Sequence, residues 1–91
     1  MKMIVEFDIG GDLIEVPEGV VRDRENLRRR FFKWLYGFEG SRRYRKGGVY
    51  CYRADAFVYW LNQKILKDGE EARVLEVGVR DWDDSLPSIF F

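Results

Sequence analysis

Histidine is absent from the chain, which removes every Ser-His-Asp, Cys-His or histidine-ligated metal site at once. One cysteine, Cys51, permits no internal disulfide and leaves no cysteine-based zinc cluster. It lies between two tyrosines with no histidine to activate it, and reads as a small buried hydrophobe. No apolar run approaches the ~20 residues that span a bilayer. The opening Met1-Lys2-Met3-Ile4-Val5-Glu6 meets an acid too early for a signal peptide. These absences point to a reducing cytoplasm and to no membrane partner. Phosphate loops are missing too, since Gly10-Gly11 and Gly47-Gly48 match no such pattern and read as turns. Glu70, Glu71, Asp81, Asp83 and Asp84 lack the spacing of a calcium loop and read as solvated. No catalytic residue, metal or cofactor is expected, so the chain is not read as an enzyme.

Neither sign of charge is in excess, because 16 Lys and Arg balance 16 Asp and Glu. That balance hides a segregation. Residues 22–53 hold eleven cations against three acids, a net +8, while residues 1–21 and 54–91 each carry −4. Polarity of this kind bears on partners more than on fold.

Large apolar side chains, by contrast, are plentiful. Hydrophobic content of 46% beside 35% charge marks a globular chain, and seven Phe, five Tyr and three Trp are available to its core. A single domain of this length buries only about 60–65% of its unfolded surface, so large side chains are needed.

Alternation over residues 3–17 predicts a β-hairpin. Gly10-Gly11 is expected to form a type I′ turn, pairing Phe7 with Ile14, Val5 with Val16 and Glu6 with Glu15. Pro17-Glu18-Gly19 ends the strand. A helix is expected from Asp23, or from near Glu18, to about Tyr36. Its apolar stripe is Leu27, Phe31, Trp34, Leu35 and Phe38, all within ~100° on a helical wheel. Gly37 and Gly40 are suitable stops, and residues 39–48 read as a mobile connection.

Residues 49–53 suggest a short strand. A second helix follows over 54–67, closed by Asp68-Gly69, with Phe57, Val58, Leu61 and Ile65 as its core stripe. Residues 73–80 predict a strand with Leu75, Val77 and Val79 facing inward. The fold expected is a single α+β domain: a small, mostly antiparallel sheet with two helices packed on it.

Two groups of residues are candidates for binding. On the first helix Arg22, Asn26, Arg29 and Lys33 recur opposite the apolar stripe, with Tyr36 continuing the line. The segment Arg42, Arg43, Tyr44, Arg45 and Lys46 sets four cations among five residues with no helix expected to require them. Together these could neutralise phosphates or an acidic partner, with Tyr44 and Tyr36 available to stack on bases. The ordinary alternative is a solvated helix face.

The second group is apolar: Tyr59 and Leu66 on the second helix, and Leu86, Ile89, Phe90 and Phe91 in the tail. The ending, at Asp83, Asp84, Leu86, Pro87, Phe90 and Phe91, resembles the acidic tips of bacterial single-stranded-DNA-binding proteins and the short peptides that dock into sliding clamps. Its spacing differs from the first, and no Gln opens the second. The competing reading folds Ile89, Phe90 and Phe91 back as a last strand or core plug.

Three further stretches, Gly-Gly-Asp-Leu-Ile-Glu-Val-Pro-Glu at 10–18, Ala-Phe-Val-Tyr-Trp-Leu-Asn at 56–62 and Leu-Pro-Ser-Ile-Phe-Phe at 86–91, resemble small uncharacterised proteins of gut Firmicutes and their mobile elements. The resemblance implies a bacterial cytoplasmic protein and carries no site residues. The function expected is a small binding or adaptor domain for another protein or a second copy. Nucleic-acid binding through the basic segment is the alternative.

Overall fold

The computed structural model describes residues 1–91. In chain order the elements are β1 (Lys2–Phe7), β2 (Gly10–Glu15), α1 (Glu18–Arg22), α2 (Arg24–Leu35), α3 (Phe38–Tyr44), β3 (Arg45–Lys46), β4 (Val49–Tyr50), α4 (Ala54–Trp60) with a π-helical continuation (Leu61–Ile65), β5 (Arg73–Val79) and β6 (Ser88–Phe90). The α+β class holds, with four helices in place of two. The main sheet has the order β5-β2-β1-β6 and is mixed, since β6 runs parallel to β1.

The hairpin forms, but glycine places its turn elsewhere. Met3 lies opposite Ile14, Val5 opposite Asp12 and Phe7 opposite Gly10, so the chain reverses at Asp8-Ile9. Gly10, at φ +92°, closes the reversal, and Gly11 lies within β2. The register is therefore displaced by an even number of residues from the one expected, which leaves every side chain on its face. Met3, Val5 and Ile14 remain inward. The unfavourable Glu6/Glu15 pair does not form: Glu6 faces Gly11, and Glu15 faces Lys2. Asp12 moves from the lip of the turn to a buried position opposite Val5.

Register and bulges together set the faces of β5 differently from the expected alternation. Ile14 pairs with Val74 and Leu13 with Glu76, then Gly11 with Val79, so β5 carries an extra residue at each of two places. Val74 packs on the core, whereas Leu75 and Val77 are 39% and 61% exposed. The expected inward set is corrected for Leu75, which the Ile14–Val74 register turns away from the core, and for Val77, which lies beside Asp12 at the exposed sheet edge; Val79 is half-buried.

α2 buries Leu27, Phe31 and Leu35 as its spacing requires. It starts at Arg24, after a break at Asp23, whose carboxylate accepts from Asn26 Nδ2 (3.2 Å) and caps no backbone N–H. Phe38 leaves the stripe and is 80% exposed, because the chain turns at Gly37 and restarts as α3. Residues 39–48 are thus no mobile connection: 39–44 belong to α3, and 45–50 form the β3–β4 hairpin. Gly47 and Gly48, at φ +58° and +81°, make the type I′ turn that the sequence suggested for Gly10-Gly11.

The tail folds back as β6. Ile89 is buried beside Val5, and Phe91 stacks on Phe31 (5.4 Å) and meets Phe57 edge-on (5.2 Å). Residues 80–87 cross the other face of the sheet, with the Trp82 ring over Gly11 beside the buried Ile4. Cys51 is exposed, contrary to its reading as a buried hydrophobe, because strand β4 ends one residue before it. No helix is long and apolar enough to cross a membrane.

Candidate functional site

The start of α4 is tied to the sheet by one buried carboxylate. Asp12 Oδ1 accepts from Arg53 Nη2 (2.7 Å) and the Gly78 N–H (3.0 Å), while Oδ2 accepts from Arg53 Nε (3.2 Å) and the Ala54 N–H (3.1 Å). The positive φ of Gly78 in β5 (+75°) accompanies the bulge that turns its N–H to Asp12. Burial alone would push the Asp12 carboxyl up, but the Arg53 hydrogen bonds and the two N–H groups more than offset it. The group therefore sits below its ordinary 3.8. With both oxygens engaged, this is a clamp from β2 to β5 and to the start of α4, not a free acid or base.

The basic segment is sorted by the fold. Of its eleven cations, Arg53 pairs with Asp12, and Arg22 with Glu18 at 3.5 Å. Arg24 donates to the Ser88 carbonyl (3.1 Å) and Arg28 to that of Phe90, so both fasten β6. Arg29, Arg30, Lys33, Arg42, Arg43, Arg45 and Lys46 have no carboxylate within 4.0 Å.

Several of these unpaired cations converge. Between α2 and the π-helical continuation lies a cleft of about 510 Å³ bounded by Arg30, Lys33, Lys64, Trp34 and Trp60. Beside it, α3 and α4 bound a second of about 440 Å³ with Phe38, Arg42, Arg43 and Tyr59. The Lys64–Glu39 ion pair (3.2 Å) joins a wall of one to a wall of the other. Trp34 meets Tyr44 and Tyr59, each at 6.2 Å between centroids, and Arg43 lies 3.8 Å over the Tyr59 ring. Contact with Tyr44, first among several causes, holds Arg43 even more firmly protonated than usual. The result is one aromatic-lined face with five cations and a single acid.

No family model, curated protein or solved structure matches this chain. The site is read from its geometry.

Lys33, Arg42 and Arg43 are brought together as one surface, and Tyr44 underlies it half-buried against Trp34. Arg29 is exposed on the outer side of α2. Arg22 stands apart, paired with Glu18, and Arg45 and Lys46 lie on the β3–β4 hairpin. Arg30, Lys64, Trp60 and Phe38 belong to the face but are not binding candidates in the sequence, where Phe38 falls in the apolar stripe. A helical wheel could have flagged Arg30, which borders the apolar stripe; Lys64 emerges only once α4 packs beside α2.

Among the apolar candidates, Tyr59 joins the basic face under Arg43. Leu66 and Leu86 are half-buried, Ile89 is buried, and Phe91 packs in the core aromatics. Phe90 alone of the tail candidates is exposed, at 53%. Glu70, Glu71, Asp81, Asp83 and Asp84 form no group suited to a metal ion.

Proposed function

We propose that this chain is a binding domain rather than a catalyst, and that its ligand is the phosphate backbone of a nucleic acid. The observation that carries this reading is the convergence of Arg30, Lys33, Arg42 and Arg43, all without carboxylate partners, around two joined clefts. Like charges held together on a folded surface repel one another, and a polyanion relieves that repulsion while releasing its counterions. An intracellular site of action belongs to the same proposal.

The test is retention of a fluorescein-labelled oligonucleotide at low ionic strength, read by anisotropy. Lys33→Glu combined with Arg43→Glu is expected to weaken binding at least about tenfold, by removing two phosphate contacts and adding two repulsions. Arg22→Glu, outside the face, is expected to change it little. Unchanged retention in the double variant, or none in the native chain, defeats the proposal.

A second reading, association with another copy of the chain, is supported by the edges of the sheet. β6 has its outward carbonyls at Ser88 and Phe90 occupied by Arg24 and Arg28. β5 has no such cover and exposes Leu75 and Val77. Light scattering on a concentrated sample tests it, and a strict monomer removes it.

A further inference from the structure

The flank of α2 facing the β3–β4 hairpin carries a second arrangement that the clefts do not use. The Phe32 and Tyr36 rings lie 5.9 Å apart and nearly parallel, at 16°. Tyr36 meets Tyr50 of β4 at 4.8 Å and 86°. Guanidinium groups close both ends of this row, Arg28 at 5.0 Å over Phe32 and Arg45 at 6.0 Å over Tyr50. Tyr50 is anchored by its hydroxyl to Ser41 Oγ (2.7 Å). Tyr36 is thus held in place by Phe32 and Tyr50, yet it is 58% exposed. Core packing does not require so large an apolar surface to remain in water.

Tyr36 is also three residues beyond Lys33, so the row begins where the basic cleft ends on the outer side of α2. Resting on the nucleic-acid reading above, we infer that the ligand is a single strand, with phosphates in the Arg30–Lys33–Arg43 face and an unpaired base stacked on Tyr36. Only an unpaired base offers a free face to a protein ring; in a duplex both faces are covered by neighbouring base pairs. A cation beside the ring adds attraction to the base and to the adjoining phosphate. An acidic protein shares the need for cations but has no use for a fixed stacking ring.

The experiment compares oligothymidine, the same strand in a duplex, heparin and polyglutamate as ligands for the native chain, Tyr36→Ala and Tyr36→Phe. Expected for Tyr36→Ala is a loss of about tenfold in affinity for oligothymidine, the scale of one stacked base. Heparin, which has charge but no bases, is expected to bind as before, which also reports that the variant is folded. Tyr36→Phe keeps the ring and is expected to restore oligothymidine binding. Three results overturn the inference: oligothymidine affinity unchanged in Tyr36→Ala, equal loss for oligothymidine and heparin, or duplex bound as tightly as the single strand. Polyglutamate bound as tightly as oligothymidine moves the ligand to an acidic protein and overturns it as well. Failure of the inference leaves heparin and oligonucleotide retention sensitive to Lys33→Glu with Arg43→Glu. Failure of the underlying function abolishes retention of every oligonucleotide, single-stranded or duplex, by the native chain.

Discussion

Asp12 ties the start of α4, the helix that carries Tyr59, to the sheet through the Ala54 N–H and Arg53. Its folded pKa lies below its ordinary value, with Arg53, Gly78 and Ala54 overcoming the opposing effect of burial. A carboxyl of this kind contributes stability that is complete above its unfolded pKa of about 3.9, and that is lost as pH falls through the lower folded value. Urea midpoints are therefore expected to hold steady from neutral pH down to about 5 and to fall below about 4. Asp12→Asn is expected to be less stable at neutral pH by about 2 kcal/mol, the worth of charge-assisted hydrogen bonds to a buried group. Its loss of stability in acid is expected to be shallower than that of the native chain. Glu15, lowered by Arg73, and Asp83, lowered by the Ser85 N–H, retain part of the slope in both proteins. A midpoint-against-pH curve for the two proteins checks the sign, and parallel curves count against the clamp. None of this was visible in the residue string. Asp12 alternates like any polar strand residue, and only the turn at Asp8-Ile9 puts it opposite Val5.

At the scale of elements, alternation and helical spacing were legible wherever neighbours agree with them: β1, β2, the buried side of α2, and α4. They failed where tertiary contact overrides local pattern. Residues 39–48 have the glycines and like charges of a loose connection, yet α3 forms because Gly40 lets it rest directly on the end of α2. A Cβ at Gly40 would come within 2.4–2.5 Å of the Leu35 Cα and of the Leu35 and Trp34 carbonyl oxygens, all backbone atoms that cannot step aside. Gly40→Ala is therefore expected to cost about 3 kcal/mol, the upper range for overpacking, and to weaken oligonucleotide binding by displacing Arg42 and Arg43. Gly47→Ala meets open space, and only its positive φ opposes it, so about 1 kcal/mol is expected. Denaturant titration of both variants separates close contact from backbone strain, and equal costs contradict the account of α3. β5 shows the other failure. Its alternation is real, but pairing with β2 sets Val74 opposite Ile14 and so turns Leu75 away from the core, while Val77 lies exposed beside Asp12 at the open edge of the sheet.

Across the whole molecule, the segregation of charge written in the sequence is partly undone, since three of the four ion pairs join the basic segment to a flank. The acids of the first flank are partly spent: Asp12 on Arg53, Glu15 on Arg73 and Glu18 on Arg22. No acid from residue 54 onward forms an ion pair, although Glu70 shares with Asp23 and Arg30 a cleft at the margin of the basic face. What the residue string could not reveal is which cations would be diverted to structure, as Arg24 and Arg28 are to β6. A quantitative expectation follows from the four that are not diverted and line the clefts. For single strands the logarithm of affinity falls with the logarithm of salt concentration at about 0.7 per phosphate neutralised, so Arg30, Lys33, Arg42 and Arg43 predict a slope of about −3. Replacing Arg42 and Arg43 by alanine is expected to reduce it by about 1.4. Lys64 is a fifth cation held back by Glu39 at 3.2 Å. Glu39→Gln frees it and is expected to tighten binding and steepen the slope by about 0.7, the opposite direction from every other substitution in the face. Anisotropy titrations over a salt series measure all three slopes. A Glu39→Gln slope no steeper than the native one would mean that Lys64 does not reach the ligand, and that the two clefts do not act as one surface.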